Sequence, residues 1–106
     1  MMIFCTLFNS GYLDKGIVMF QSLKRVTDNF KLYVVAFDNR CYEVLQKYRC
    51  NQLIPISLHE FENERLLEAK SNRTEQEYCW TCSCHTIKYV IERFHESMCT
   101  YIDADM

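Results

Sequence analysis

Two aspartates one residue apart, Asp103 and Asp105, close this sequence. In an extended segment, side chains at i and i+2 point the same way, so the two carboxylates would stand side by side. Like charges that close raise the pKa of one member or call for a cation. Hard oxygen donors suit Mg²⁺ or Mn²⁺, and such an ion keeps several waters and bridges substrate phosphates. The chemistry that fits is handling of a diphosphate-bearing substrate. Asp-x-Asp also arises by chance, and the plain alternative is a solvated strand end.

A second stretch with chemical side chains is Cys79-Trp80-Thr81-Cys82-Ser83-Cys84-His85. Zinc is one use for it, but structural zinc draws on separated ligand pairs that converge, and seven residues of one helix cannot bring four ligands together. A thiol–disulfide pair, Cys79 with Cys82, is another. The Gly-Pro that typifies such pairs is replaced by Trp80-Thr81, and a capping box at Thr74–Glu77 would place Cys79 a full turn inside a helix. Packed core cysteines are the simpler account, and Trp80 fits a core position better than a sugar-stacking one. His59, His85 and His95 show no metal-ligand spacing.

The elements that would position these groups follow from periodicity. Ile3–Phe8 is a nearly continuous apolar run closed by Asn9-Ser10-Gly11, which suits a strand buried on both faces. Leu13, Gly16 or Ile17, Phe20, Leu23 and Val26 recur at helical spacing, with Asp14 in the first turn where the helix dipole favours an anion. Phe30–Phe37 is rich in aromatic and β-branched residues and reads as a second strand. Cys41, Val44, Leu45 and Tyr48 mark a short helix. Gln52–Leu58 reads as a third strand, and Pro55 places it at a sheet edge. A charged segment with a helix around Glu60–Ala69 follows. The next helix, opened by Thr74, carries Trp80, Cys84, Ile87, Ile91 and Phe94 on one face. Met98–Ile102 is the last strand. This alternation gives an α/β, Rossmann-like parallel sheet of order 3-2-1-4 with helices on both faces. Ligands of such sheets bind at the switch point beyond the carboxyl ends of the strands, where the loop after strand 1 and Asp103-Ala104-Asp105 would meet.

Composition narrows the class. At 106 residues the chain reads as a single domain, 1–106. Its 49% apolar and 25% charged content is that of a globular protein. A net charge of −2 with dispersed Lys and Arg argues against a nucleic-acid partner. No apolar run reaches the ~20 residues of a transmembrane helix, and the first residues lack the pattern of a signal peptide. Seven cysteines, an odd number and mostly within strands or helices, read as reduced thiols of a cytoplasmic protein.

Four segments together, FCTLFNSGYLDKG, LYVVAFDN, EYCWTCSCHTIKYV and TYIDADM, make the chain resemble the N-terminal, nucleotide-sugar-binding half of a GT-A-fold glycosyltransferase of the family-eight-like bacterial group. The resemblance covers essentially the whole chain. It implies a nucleotide-sugar donor, with a UDP-sugar expected, and a divalent metal, Mn²⁺ or Mg²⁺, on the Asp-x-Asp. Carried over position by position, it implies that Thr6, Phe8 and Asn9 line the base pocket and that Tyr12 stacks on or caps it. Asp38 would accept from base or ribose and Arg73 would face the diphosphate. Asp103 would contact ribose or metal, and Asp105 would ligate the metal. The residues themselves leave simpler roles open: Tyr12 as a helix-start packing residue, Asp38-Asn39 as turn chemistry and Arg73 as a solvated charge. The alternative function is a small stand-alone α/β binding or thiol-redox module using Cys79 and Cys82. The sequence names neither the donor sugar, the acceptor nor the stereochemical outcome. An unpaired strand edge beside the last strand would invite a second copy.

The family pattern continues beyond its Asp-x-Asp into acceptor-binding strands and a later metal ligand. The isolated 106-residue chain is therefore expected to transfer no sugar. Steady turnover of a sugar donor by the purified chain, followed by release of free nucleotide, would refute this.

Overall fold

Strands that are apolar on both faces can only be placed between two layers of helices, and that is the arrangement adopted. The structure, a computed structural model, describes residues 2–62, 67–68, 71–72 and 74–102; the side chains of 75, 76, 79, 80 and 84 lie outside the description. In chain order the elements are β1 (Met2–Phe8), a 3₁₀ turn (Ser10–Tyr12), α1 (Leu13–Val26), β2 (Phe30–Ala36), α2 (Asn39–Lys47), β3 (Leu53–Ser57), α3 (Leu58–Phe61), α4 (Glu75–Phe94) and β4 (Thr100–Tyr101).

The four strands form one parallel sheet of order β3-β2-β1-β4. β1 pairs with β2 over its full length, from Met2 opposite Phe30 to Phe8 opposite Ala36. On its other side β1 takes β4, with Phe4 opposite Thr100 and Cys5 opposite Tyr101. The pairing runs one residue further, because the Ile102 N–H donates to the Cys5 carbonyl (2.8 Å). β3 lies at the edge, where an imino residue such as Pro55 is tolerated because such a strand pairs on one side only.

Alternation along the strands separates two cores. Phe8, Phe30, Leu32, Val34, Ala36 and Leu53 pack with Leu13 and Phe20 of α1 and with Cys41 and Leu45 of α2. Cys5, Tyr33, Val35 and Ile56 pack on the opposite face with Phe61 of α3 and with Tyr78, Cys82 and Val90 of α4. Tyr33 is held further by its hydroxyl, which donates to the Glu96 carboxylate (2.7 Å) just after α4. His95, at the end of α4, adopts a left-handed backbone (φ 57°) that stops the helix.

Several elements differ from the periodicity reading. The last strand is two residues, not five, because Met98 and Cys99 precede the pairing with β1. The charged segment opens with a one-turn helix at Leu58–Phe61, fixed by a capping box in which Glu60 and Ser57 each bond the other's backbone N–H. Glu62 is then extended, so the helix expected over Glu60–Ala69 is not continuous; residues 67–68 and 71–72 are helical. Thr74 does cap α4, accepting from the Glu77 N–H (3.2 Å). Among the described side chains of α4 the buried row is Tyr78, Cys82, Thr86 and Val90, while Ile91 of the expected stripe is only partly buried. Ile87 and Phe94 do pack on that core, as partly buried residues, while the Trp80 and Cys84 side chains are outside the description. Val26, expected on the inner face of α1, is 83% exposed at the helix end.

Gly16 shows how closely α1 meets β1. A glycine costs a helix about 1 kcal/mol relative to alanine, yet a Cβ here would lie 2.3 Å from Cζ of Phe8. The Phe8 ring is buried, so any shift would disturb the packing around it. Overpacking of this kind costs ~1–3 kcal/mol, outweighing the gain in helix propensity. Gly16→Ala should therefore lower the unfolding free energy by up to about 2 kcal/mol, read as a lower urea midpoint. A raised midpoint would contradict the packing described.

Candidate functional site

Parallel strands deliver their carboxyl ends to one edge of the sheet, and the chemistry-bearing loops collect there. β1 and β2 end in register. Beyond them, the Phe8 carbonyl accepts from the Phe37 N–H (2.9 Å) and from the Cys41 thiol (3.6 Å). The β1 loop then turns tightly. Asn9 caps the 3₁₀ turn by accepting from the Gly11 N–H at its Oδ1 (2.9 Å), and its carbonyl accepts from the Tyr12 N–H (3.1 Å). An Asx residue before a short turn is suited to this because its side chain imitates a backbone carbonyl.

Asp38 joins this loop to its neighbour. One carboxylate oxygen accepts from the Cys41 N–H (2.7 Å) and so caps α2; the other accepts from the Ser10 N–H (2.9 Å), 28 residues away in sequence. Partial burial works to raise the Asp38 pKa, but the bonds from Ser10 and Cys41, helped by the nearby Arg40 charge, prevail and hold it below its ordinary value. Cys41 sits in the first turn of α2, where an amide-rich helix start would favour a thiolate. Burial, together with the charge of Asp38, instead pushes its thiol up to about 12. It is a packed thiol, not a nucleophile.

The residues singled out in the sequence separate into three groups. Asn9, Tyr12 and Asp38 lie in the two loops at the carboxyl edge. Tyr12 is 42% exposed, with the Lys15 ammonium 5.3 Å from its ring centre, within cation–π range. Thr6 and Phe8 point into the core below the loops: Thr6 is fully buried, its hydroxyl lacks a hydrogen-bond partner among the described residues, and Phe8 packs on α1. Arg73, Asp103 and Asp105 lie outside the described residues. The description of the last strand ends at Ile102, alongside β1. Among the described residues no group of three or more His, Cys, Asp or Glu could hold a metal ion. Two carboxylates at i and i+2 remain a suitable hard donor set for Mg²⁺ or Mn²⁺.

Sequence reasoning overlooked Ser10, whose backbone N–H and side chain both bond the Asp38 carboxylate. The cap role of Asp38 did have a signal, an Asp between a strand and a helical pattern. The Cys79–Cys82 stretch falls within α4, which begins at Glu75, and Cys82 is fully buried in its middle. Cys5, Cys41, Cys50, Cys82 and Cys99 are all free thiols. Among the described residues, no helix is long and apolar enough to cross a membrane.

Fold and site together define a Rossmann-like parallel α/β chain in which the polar loops after β1 and β2 meet at the carboxyl edge of the sheet. Over 104 residues it is 35% identical to the uncharacterized protein YfnD and 33% identical to the uncharacterized protein YfnF, both of Bacillus subtilis (strain 168). These matches take in 97% of this chain but 33% and 34% of the respective relatives. The chain thus spans about a third of the length of the curated relatives it matches. No family model matches it, and no solved structure does.

Because Asp38 is held below its ordinary value of 3.8, its contribution to stability is complete above that pH and fades as pH falls through the lowered folded value. Asp38→Ala should lose about 0.5–2 kcal/mol at neutral pH, the usual loss for a helix cap. The gap from the unaltered chain should narrow below about pH 4. Denaturant titrations at pH 7 and pH 3 test this, and a gap that widens in acid would overturn it.

Proposed function

We propose that this chain is the donor-binding portion of a glycosyltransferase and binds a nucleotide-sugar, with UDP as its nucleotide. The observation that carries this reading is the sheet order. β4 lies beside β1 and parallel to it, so the strand that precedes Asp103 in sequence runs toward the same edge as the strand that carries the Asn9–Tyr12 loop, the edge where wound sheets bind nucleotides. The resemblance of FCTLFNSGY and TYIDADM to GT-A enzymes concerns these same two segments.

In this reading Tyr12 stacks on or caps the base, and Asn9 borders it. Thr6 and Phe8 form the floor beneath the loop, and Arg73 meets the diphosphate. Asp103 and Asp105 hold a divalent cation, Mn²⁺ or Mg²⁺, with Asp103 also within the ribose site. When bound, that ion supplies Lewis-acid stabilisation of the leaving diphosphate. The acceptor is unassigned, and sugar transfer belongs to the longer enzyme. Free thiols and a modest acidic charge support a cytoplasmic setting without nucleic acid. Among the described residues β4 pairs on one side only, and its other edge is where a second copy would pair. A thiol-redox role is disfavoured by the burial of Cys82 within α4.

Calorimetric titration of the chain with UDP, with and without Mn²⁺, tests the reading. Binding should strengthen with the metal, and Asp105→Ala should remove that increment. Equal metal-dependent binding by the variant would refute the site.

A further inference from the structure

We propose that Asp38 is a positioning residue for the donor loop: it holds the Asn9–Tyr12 turn in its binding shape through the Ser10 amide, and does not itself contact the ligand. This rests on the reading of that loop as donor-binding. Both carboxylate oxygens already accept a backbone N–H, at 2.9 Å from Ser10 and 2.7 Å from Cys41. Direct contact with a base or ribose would have to share or displace these bonds, each charge-assisted and stronger than a neutral one.

The attachment point matters. Ser10 lies between Asn9, which caps the turn, and Tyr12, whose N–H closes it on the Asn9 carbonyl. Fixing the Ser10 amide therefore fixes the turn that carries the exposed Tyr12 ring. Below it, the Phe8 carbonyl is fixed to the same β2–α2 connection through the Phe37 N–H and the Cys41 thiol. The loop is thus fastened at two successive points, Phe8 and Ser10, to one neighbouring segment. A loop ordered before its ligand arrives loses less conformational freedom on binding.

Two substitutions separate this role from helix capping. Asparagine and serine both cap helices well. Asp38→Asn keeps one oxygen for the Cys41 N–H but turns an amide N–H₂ toward Ser10, and the shorter Asp38→Ser cannot serve both amides. In either variant the thermal midpoint should fall less than in Asp38→Ala, because the cap on the Cys41 N–H is kept, while hydrogen exchange at the Ser10 amide accelerates at least several-fold. UDP affinity in the presence of Mn²⁺, measured well below the midpoint, should fall roughly tenfold, the scale of one hydrogen bond to a charged group. A merely structural Asp38 would leave that affinity unchanged. Unchanged affinity in both folded variants, or unchanged Ser10 exchange, overturns the positioning role alone. Absence of UDP binding by the unaltered chain overturns the donor-binding reading and this proposal with it.

Discussion

The parallel pairing of β1 with both of its neighbours is the constraint from which the rest of the structure follows. A parallel ladder sends every strand's carboxyl end to the same edge. It also forces each connection to cross a face of the sheet, which covers both sides with helices and demands strands without a polar face. β1 meets this with Cys5 and Thr6 fully buried on opposite faces and with Phe8 buried at its end. The position of the polar loops is thus a consequence of strand direction, and the proximity of the loops after β1 and β2 is a consequence of the pairing of those two strands in register.

At that edge the backbone changes from a satisfied ladder to loops whose N–H groups need partners. Side chains of Asn9 and Asp38 provide them. A carboxylate serves well because it has two oxygens and can accept from two segments at once. The cap of α2 and the attachment of the β1 loop are therefore one group's work, and local helix formation is coupled to the shape of a loop 28 residues earlier. Cys41 shares in the coupling: its amide is held by Asp38 and its thiol by the Phe8 carbonyl.

The sheet was legible because its signals are composition and punctuation. Long apolar runs between turn clusters identified β1, β2 and β3, and Pro55 identified the edge. The orientation of α4 was not legible. Apolar, cysteine and aromatic side chains occur all around this helix, so the pattern admits several inner faces, and packing against Cys5 and Val35 selects the one through Tyr78, Cys82 and Val90. The break at Glu62 was hidden for a related reason: a charged helical composition says nothing of the Ser57–Glu60 box that starts and confines the single turn. At the site, side-chain identity marked Asn9, Tyr12 and Asp38. What joins them is Ser10, through its main-chain amide and its side chain, and a bond to a residue 28 positions away leaves no local pattern in the sequence.

The exposure of Tyr12 gains meaning against this background. A half-exposed aromatic ring on a surface is ordinary by itself. Here the ring follows a turn whose hydrogen bonds are all made within the chain: Gly11 to Asn9, Tyr12 to Asn9, and Ser10 to Asp38. Its backbone is held while the residue stays 42% exposed, with the Lys15 ammonium over its ring. For any planar ligand docking on this turn, the cost of ordering the loop has largely been met by folding. The ring offers apolar area with few torsions to freeze, which is why aromatic side chains recur as anchors where loops bind ligands.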